Sequence, residues 1–128
     1  MKTGLTYTAT TVVSDDNIAS RYGSGLVAVF ATPAMVALME NAAMNAVLPH
    51  LPEGSNTVGV DISVNHVKAT PMGVAVKATA VLKEVDGKKL VFDVVASDED
   101  GEIGRGTHTR FVIDVERFMS KLIKKSGI

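Results

Sequence analysis

Cysteine is absent from this sequence, and with it go disulfides, thiolate nucleophiles and cysteine-ligated zinc. An excess of either charge is lacking too. Lysine and arginine number 13 against 14 aspartates and glutamates, for a net charge of −1 and a pI near 6.3. Nucleic acid demands a basic face, and none is expected here. The 3 histidines stand far apart without an HExxH pattern, so no metal site is expected. No glycine-rich segment matches a P-loop or a dinucleotide fingerprint, and Gly23-Ser24-Gly25 lacks the spacing of a serine nucleophile elbow. Residues 1–13 alternate threonine with apolar side chains and hold no continuous apolar run of the signal-peptide kind. Such a chain fits the cytoplasm.

Long hydrophobic runs are scarce, with one exception. Residues 22–39 carry no charge, yet Gly23, Gly25 and the Thr32-Pro33 step divide them into loop and helix. A membrane span needs about twenty mainly apolar residues in one helix. No membrane association is therefore expected, and the segment reads as a buried helix with its lead-in loop. The 128 residues are 46% hydrophobic, enough for a core that buries roughly two-thirds of the unfolded surface. Neither linker nor repeat interrupts them, so 1–128 reads as a single domain.

Periodicity supplies the elements. Residues 5–13 predict a strand with Leu5, Tyr7, Ala9 and Thr11 on one face, followed by a loop through Asp15, Asp16 and Asn17. Thr32 is a good N-cap with Pro33 at the first helical position. Residues 34–47 are rich in the helix formers Ala, Met and Leu, and Pro49 and Pro52 end the run. That helix is apolar all round, which predicts burial on every side. After Gly54 the period becomes two: Val58, Val60, Ile62, Val64 and His66 share the face expected to meet the helix. A turn at Pro71-Met72-Gly73 leads to a strand over 74–85, with Val74, Val76, Ala78, Ala80 and Leu82 on one face. Asp86-Gly87 predicts a type I′ hairpin turn, residues 90–96 the returning strand, Asp100-Gly101 a second hairpin and 102–113 the last strand. Asp114 caps a final helix over 115–125 whose apolar side is Val115, Phe118, Met119 and Leu122. Four hairpin-linked strands must be antiparallel. The expected class is α+β, a long antiparallel sheet curled about one buried helix.

Glu40 is the only charged residue between Arg21 and Glu53, in the middle of the apolar helix. A carboxylate there loses hydration, which costs several kcal/mol unless it is paired. It is either functional or bonded at a wet edge of the helix. His66 is expected on the same side of the sheet, where it is either a structural imidazole or the partner of Glu40. Thr32 is foremost a cap, and the free N–H groups of Ala34 and Met35 point where an oxyanion can be held. Thr32 precedes Glu40 by a little over two turns, so the two share a rough azimuth. His108 sits in the glycine-thinned run Gly104-Arg105-Gly106-Thr107-His108-Thr109-Arg110, where another backbone, a ligand or a second subunit comes close. His50, next to Pro49, is expected at the surface.

With these residues in view, the sequence resembles the hotdog-fold thioesterases, and specifically the fluoroacetyl-CoA thioesterase-like branch. The matching residues run from Val29-Phe30-Ala31-Thr32-Pro33 through Glu40-Asn41-Ala42-Ala43. They continue in Val58-Gly59-Val60 and from Val64-Asn65-His66 to Pro71-Met72-Gly73, and end in Gly106-Thr107-His108-Thr109-Arg110-Phe111-Val112-Ile113-Asp114. The branch's Thr, Glu and His fall on Thr32, Glu40 and His66. The resemblance implies the hotdog fold, a curved antiparallel sheet wrapped around a central buried helix, with a short C-terminal helix. It further implies a homodimer with active sites at or near the subunit interface, coenzyme A thioesters as substrates, no metal, and no cofactor apart from the substrate's own coenzyme A.

The expected reaction is hydrolysis of a short- or medium-chain acyl-CoA to the free acid and coenzyme A. Thr32, Glu40 and His66 form the catalytic set. Thr32 and the helix start polarise the carbonyl, Glu40 serves as base toward water or as nucleophile, and His66 moves protons. A thiol pKa of about 8.5 means that the leaving group needs little acid help. Candidates for substrate binding are Ala34, Met35 and His108, with Lys68, Arg105 and Arg110 as cations for the coenzyme A phosphates. Two alternatives stand beside this reading: a hydratase or dehydratase-type lyase, and a non-catalytic acyl-CoA-binding dimer.

Overall fold

Five segments alternate small apolar with polar residues, and in the computed structural model, which describes residues 1–127, they form one antiparallel sheet. The strands are β1 (Thr6–Val12), β2 (Ser55–Val64), β3 (Ala75–Asp86), β4 (Lys89–Asp98) and β5 (Gly101–Asp114), side by side in the order β1-β3-β4-β5-β2. A one-turn helix α1 (Ala19–Tyr22) precedes the long helix α2 (Thr32–Val47), which a 3₁₀ turn at Leu48–His50 closes; α3 (Val115–Ser126) ends the fold. Among the described residues no helix is long and apolar enough to cross a membrane.

The inward faces follow the period of two. Val76, Ala78, Ala80 and Leu82 of β3 and Leu90, Phe92, Val94 and Ala96 of β4 are buried against Met35, Met39, Ala42, Ala43 and Val47 of α2. Burying each large side chain of this set contributes about 1.5–3 kcal/mol, and the alanines let helix and sheet approach closely. The sheet curls about α2 in an α+β arrangement, as expected. Asp114 also caps α3 as expected, its carboxylate accepting from Arg117 N–H at 3.0 Å.

Several local expectations fail for identifiable reasons. β2 is not hairpin-linked to β3; it pairs with β5 at the end of the sheet. The connection between them is held elsewhere: Thr70 C=O accepts from Phe30 N–H, while the N–H groups of Asn65 and Val67 donate to Arg105 and Ile103. Val60 is the extra residue of a β-bulge, because Gly59 pairs with Arg110 while Asp61 pairs with Thr109. The bulge reverses the phase. Gly59 and Ile62 therefore face α2, whereas Val58 turns outward beside Phe111 and Val60 is 54% exposed.

A shift between Leu82 and Glu84 moves the β3–β4 turn in the same way. Asp86 pairs with Lys89, which makes Gly87 and Lys88 the central residues, and Lys88 lacks the positive φ that type I′ requires. Nor is α2 buried on every side: Ala37 and Asn41 are exposed in the single chain. On α3, Val115, Met119 and Leu122 also remain exposed.

Candidate active site

Helix α2 begins at Thr32, with Ala31 as N-cap and no side-chain cap. Thr32 is thus not the N-cap that its sequence suggests, because its hydroxyl is engaged elsewhere. Thr32 Oγ1 lies 2.8 Å from His66 Nδ1. His66 stands beyond the end of β2, in the connection rather than on the strand, so strand alternation does not place it. Its ring meets Phe30 edge-on, with centroids 6.5 Å apart. Thr32, His66, Phe30, Val67 and Lys68 line an open cleft of about 370 Å³. Burial lowers the His66 pKa below the ordinary imidazole value, with the Lys68 backbone opposing in part. His66 Nε2 is buried and has no hydrogen-bond partner of good geometry among the described residues.

Glu40 belongs to a second cluster. It projects from α2 toward Gly59, where a Cβ would lie 2.8 Å from Glu40 Oε2, 3.1 Å from His108 Cε1 and 3.3 Å from Arg110 Nη1. Only glycine leaves room there for the carboxylate, imidazole and guanidinium to converge. Glu40, Gly59, Asp61, Ile62 and His108 line a cleft of about 300 Å³. The guanidinium of Arg110, whose residue is 6% exposed, donates from Nε to Thr57 Oγ1 at 2.8 Å and from Nη2 to Thr57 C=O at 2.9 Å. Burial lowers the Arg110 pKa, and the Glu40 charge opposes that.

The expected residues sort accordingly. Thr32 meets His66, and Glu40 faces His108 and Arg110. Within one chain no hydrogen bond or common cleft among the described residues joins Glu40 to His66. Eight residues of helix separate Thr32 from Glu40 by about 12 Å along the axis. Met35 N–H is not free, since it donates to Ala31 C=O at 3.0 Å, the first bond of the helix. Ala34 N–H precedes that bond and keeps no intrahelical acceptor. His108 is buried inside its own chain at 1% exposure. Arg110 points inward rather than to the pocket mouth. Arg105 is exposed and ion-paired with Glu102, and it does not line the cleft that Lys68 lines.

Sequence reasoning missed Thr57 and the packing role of Gly59. The signal for Arg110 was present, because it shares strand phase with His108. The close approach expected at the β5 glycines is there: a Cβ at Gly104 would collide with the Asn65 carbonyl and lie 2.9 Å from Met35 Sδ, and one at Gly106 would collide with Ser63.

Comparison with known proteins places this geometry. A fluoroacetyl-CoA thioesterase from Streptantibioticus cattleyicolor is 46% identical over 98 residues, covering 77% of this chain and 70% of its own. The crystal structure of a mutant of the fluoroacetyl-CoA thioesterase FlK in complex with acetyl-CoA superimposes with a TM-score of 0.90 at 38% identity, over 98% of both chains. A hot-dog-like protein from Thermanaerovibrio acidaminovorans shares the fold at 22% identity, with a TM-score of 0.88 over 98% of this chain and 93% of its own. Residues 13–116 match the family described as fluoroacetyl-CoA-specific thioesterase (FlK). The chain belongs to the fluoroacetyl-CoA-specific thioesterase family and has its hotdog fold.

Proposed function

We propose that this thioesterase hydrolyses a short- or medium-chain acyl-coenzyme A as a homodimer whose catalytic centres each draw on both protomers. One observation carries the reading. Thr32 and His66 form a bonded pair whose outer nitrogen is buried without a partner among the described residues, while the carboxylate suited to meet it lies about two helical turns away in another cleft. A twofold contact through the unpaired edge of β2 and the exposed Ala37–Asn41 side of α2 would carry one protomer's Glu40 toward the other's His66. An uncovered strand edge ordinarily calls for such cover.

In this centre Thr32 and the Ala34 N–H polarise the thioester carbonyl. Glu40 takes the proton of the attacking water, or attacks first and is released by water from a transient anhydride. A C–O bond forms, the C–S bond breaks, and coenzyme A leaves as a thiolate that is then protonated. His66 carries that proton and holds Thr32 in place. Lys68 beside the cleft supplies a cation for a coenzyme A phosphate. The loop before α2 is small-residued around Gly23-Ser24-Gly25 and leaves Leu26 96% exposed in the single chain, which supports a range of short acyl groups over a single fixed one. No metal takes part in this scheme, and the lack of cysteine supports a cytoplasmic setting.

The test mixes two inactive variants. Glu40→Ala and His66→Ala are each assayed alone with a panel of acyl-CoAs and a free-thiol reagent, then refolded together. Shared centres predict recovery of about one quarter of wild-type activity, since half of the dimers carry one intact centre of two. Centres confined to single chains predict none. Absorbance change without thiol release would indicate a lyase, and binding without either change a carrier.

A further inference from the structure

We propose that His108 is a positioning residue: as a neutral imidazole it accepts a hydrogen bond from Arg110 and so aims the buried guanidinium at the Glu40–Gly59 pocket. This rests on the reading of Glu40 as part of the thioesterase centre. The geometry fixes the tautomer. His108 Nδ1 lies 2.8 Å from the Asp61 carbonyl oxygen, which only accepts, so Nδ1 carries the proton. The opposite nitrogen, Nε2, lies 3.2 Å from Arg110 Nη1, which only donates, so Nε2 must be bare. Thr57 takes two further guanidinium bonds. Together Thr57 and His108 hold the planar group on three sides and set its Nη1 against the gap at Gly59 that Glu40 Oε2 also borders.

A proton on Nε2 would abolish its acceptor and set two cations side by side. The charged groups around the ring are Arg110 on its own strand, Glu40 on α2 and Asp61 on β2, while β4 contributes the ring of Phe92. Burial is the foremost influence lowering the His108 pKa, and Arg110 adds to it; the Asp61 backbone, Glu40 and the Asp61 charge oppose. The imidazole therefore stays neutral, and an acceptor, at pH values where an exposed histidine is already charged.

The experiment has two arms. In the wild-type protein, the Arg110 Nε–H resonance is followed by NMR while pH is lowered and the His108 ring signals report its titration. Positioning predicts that the Arg110 signal shifts and broadens in step with His108; an Arg110 signal indifferent to that titration overturns the proposal. In the second arm, His108→Asn keeps a donor for Asp61 but cannot reach Arg110, whereas His108→Gln keeps an acceptor at the distance of Nε2 and cannot titrate. The Asn variant is expected to lose kcat about tenfold with little change in KM, the loss from removing one charge-assisted bond. The Gln variant should regain most of that loss and show a weaker acid limb. Equal impairment of both, or wild-type kcat in the Asn variant, overturns the proposal. Should the Asn variant fail to fold, Thr57→Val removes another guanidinium acceptor and must lower kcat in the same way, or the proposal falls. The NMR arm is independent of activity: a protein that hydrolyses no acyl-CoA sinks the thioesterase reading while the Arg110 response still decides the positioning.

Discussion

Two polar clusters flank α2, and they differ in how completely their hydrogen bonds are satisfied. Around Arg110 all three nitrogens of the guanidinium find acceptors in Thr57 and His108, and both nitrogens of His108 are used. At the start of the helix, His66 binds Thr32 through Nδ1 and leaves buried Nε2 unmatched. Buried polar groups are ordinarily paired, and an exception asks for an explanation. A saturated cluster holds a shape, while an unsaturated one is prepared to receive something. In the proposed reading the open position at His66 receives substrate, while Glu40 works from the edge of the saturated cluster.

The largest effect expected from this contrast is a split between activity and stability. His66→Ala and Glu40→Gln should each lower kcat/KM by about 10³, within the range for removing a general acid or base. His66→Ala should shift Tm by no more than about 3 °C, because its unmatched nitrogen contributes little to the fold, and Glu40→Gln, which keeps the shape of a half-buried side chain, should shift it by no more than that. Thiol-release kinetics and thermal melts on the same preparations check both halves. A variant that melts much earlier would place its residue with the saturated cluster and break the comparison.

Gly59 lies where the carboxylate meets the saturated cluster and gives the next largest effect. Its alanine variant meets Glu40 Oε2 at 2.8 Å and Arg110 Nη1 at 3.3 Å, so one of them must move. A displacement near 1 Å lowers activity by about 10- to 100-fold. We expect that loss in kcat, with Arg110 still held by Thr57 and the fold intact by circular dichroism. Unchanged kcat would mean that the Glu40 carboxylate has no fixed place in the reaction.

How much of this could be read from sequence follows the same division. The inward face of β3 was legible because a strict period of two leaves one choice of inside, and Glu40 was conspicuous as the sole charge in an apolar helix. The bulge at Val60 was not legible, since one inserted residue reverses every later side chain and leaves no mark in composition. Arginines are mostly exposed, and that prior outweighed the strand phase shared by Arg110 and His108. The union of Glu40 with His66 was expected from a shared side of the sheet, but pairing between a helix and a connection is set by tertiary placement. There the residues fall into two clefts.

Acid stability sharpens the comparison more gently. Both imidazoles have pKa values lowered by burial. The unfolded chain then binds more protons than the native one as pH falls below the ordinary imidazole value of about 6.5, so native stability declines from there until the lowered native values are passed. Urea unfolding at pH 8, 6 and 5 should show that decline. Replacing either histidine by Gln should flatten it, since each removes a group that the unfolded chain protonates more readily than the native one. A decline unchanged in both variants would mean that neither imidazole is held neutral by the fold.

The smallest effect concerns the cations outside both clusters. Lys68 lines the Thr32–His66 cleft with its ammonium exposed, whereas Arg105 is engaged by Glu102. A solvated ammonium meeting a phosphate gains little, so Lys68→Ala should raise KM for an acyl-CoA only about threefold. That increase should fade at high salt, as screened attraction does. Arg105→Ala should leave KM unchanged, because its guanidinium is already committed and does not line the cleft. Reversal of this order would put the phosphates of coenzyme A along β5, and the cleft beside His66 would then hold the acyl end alone.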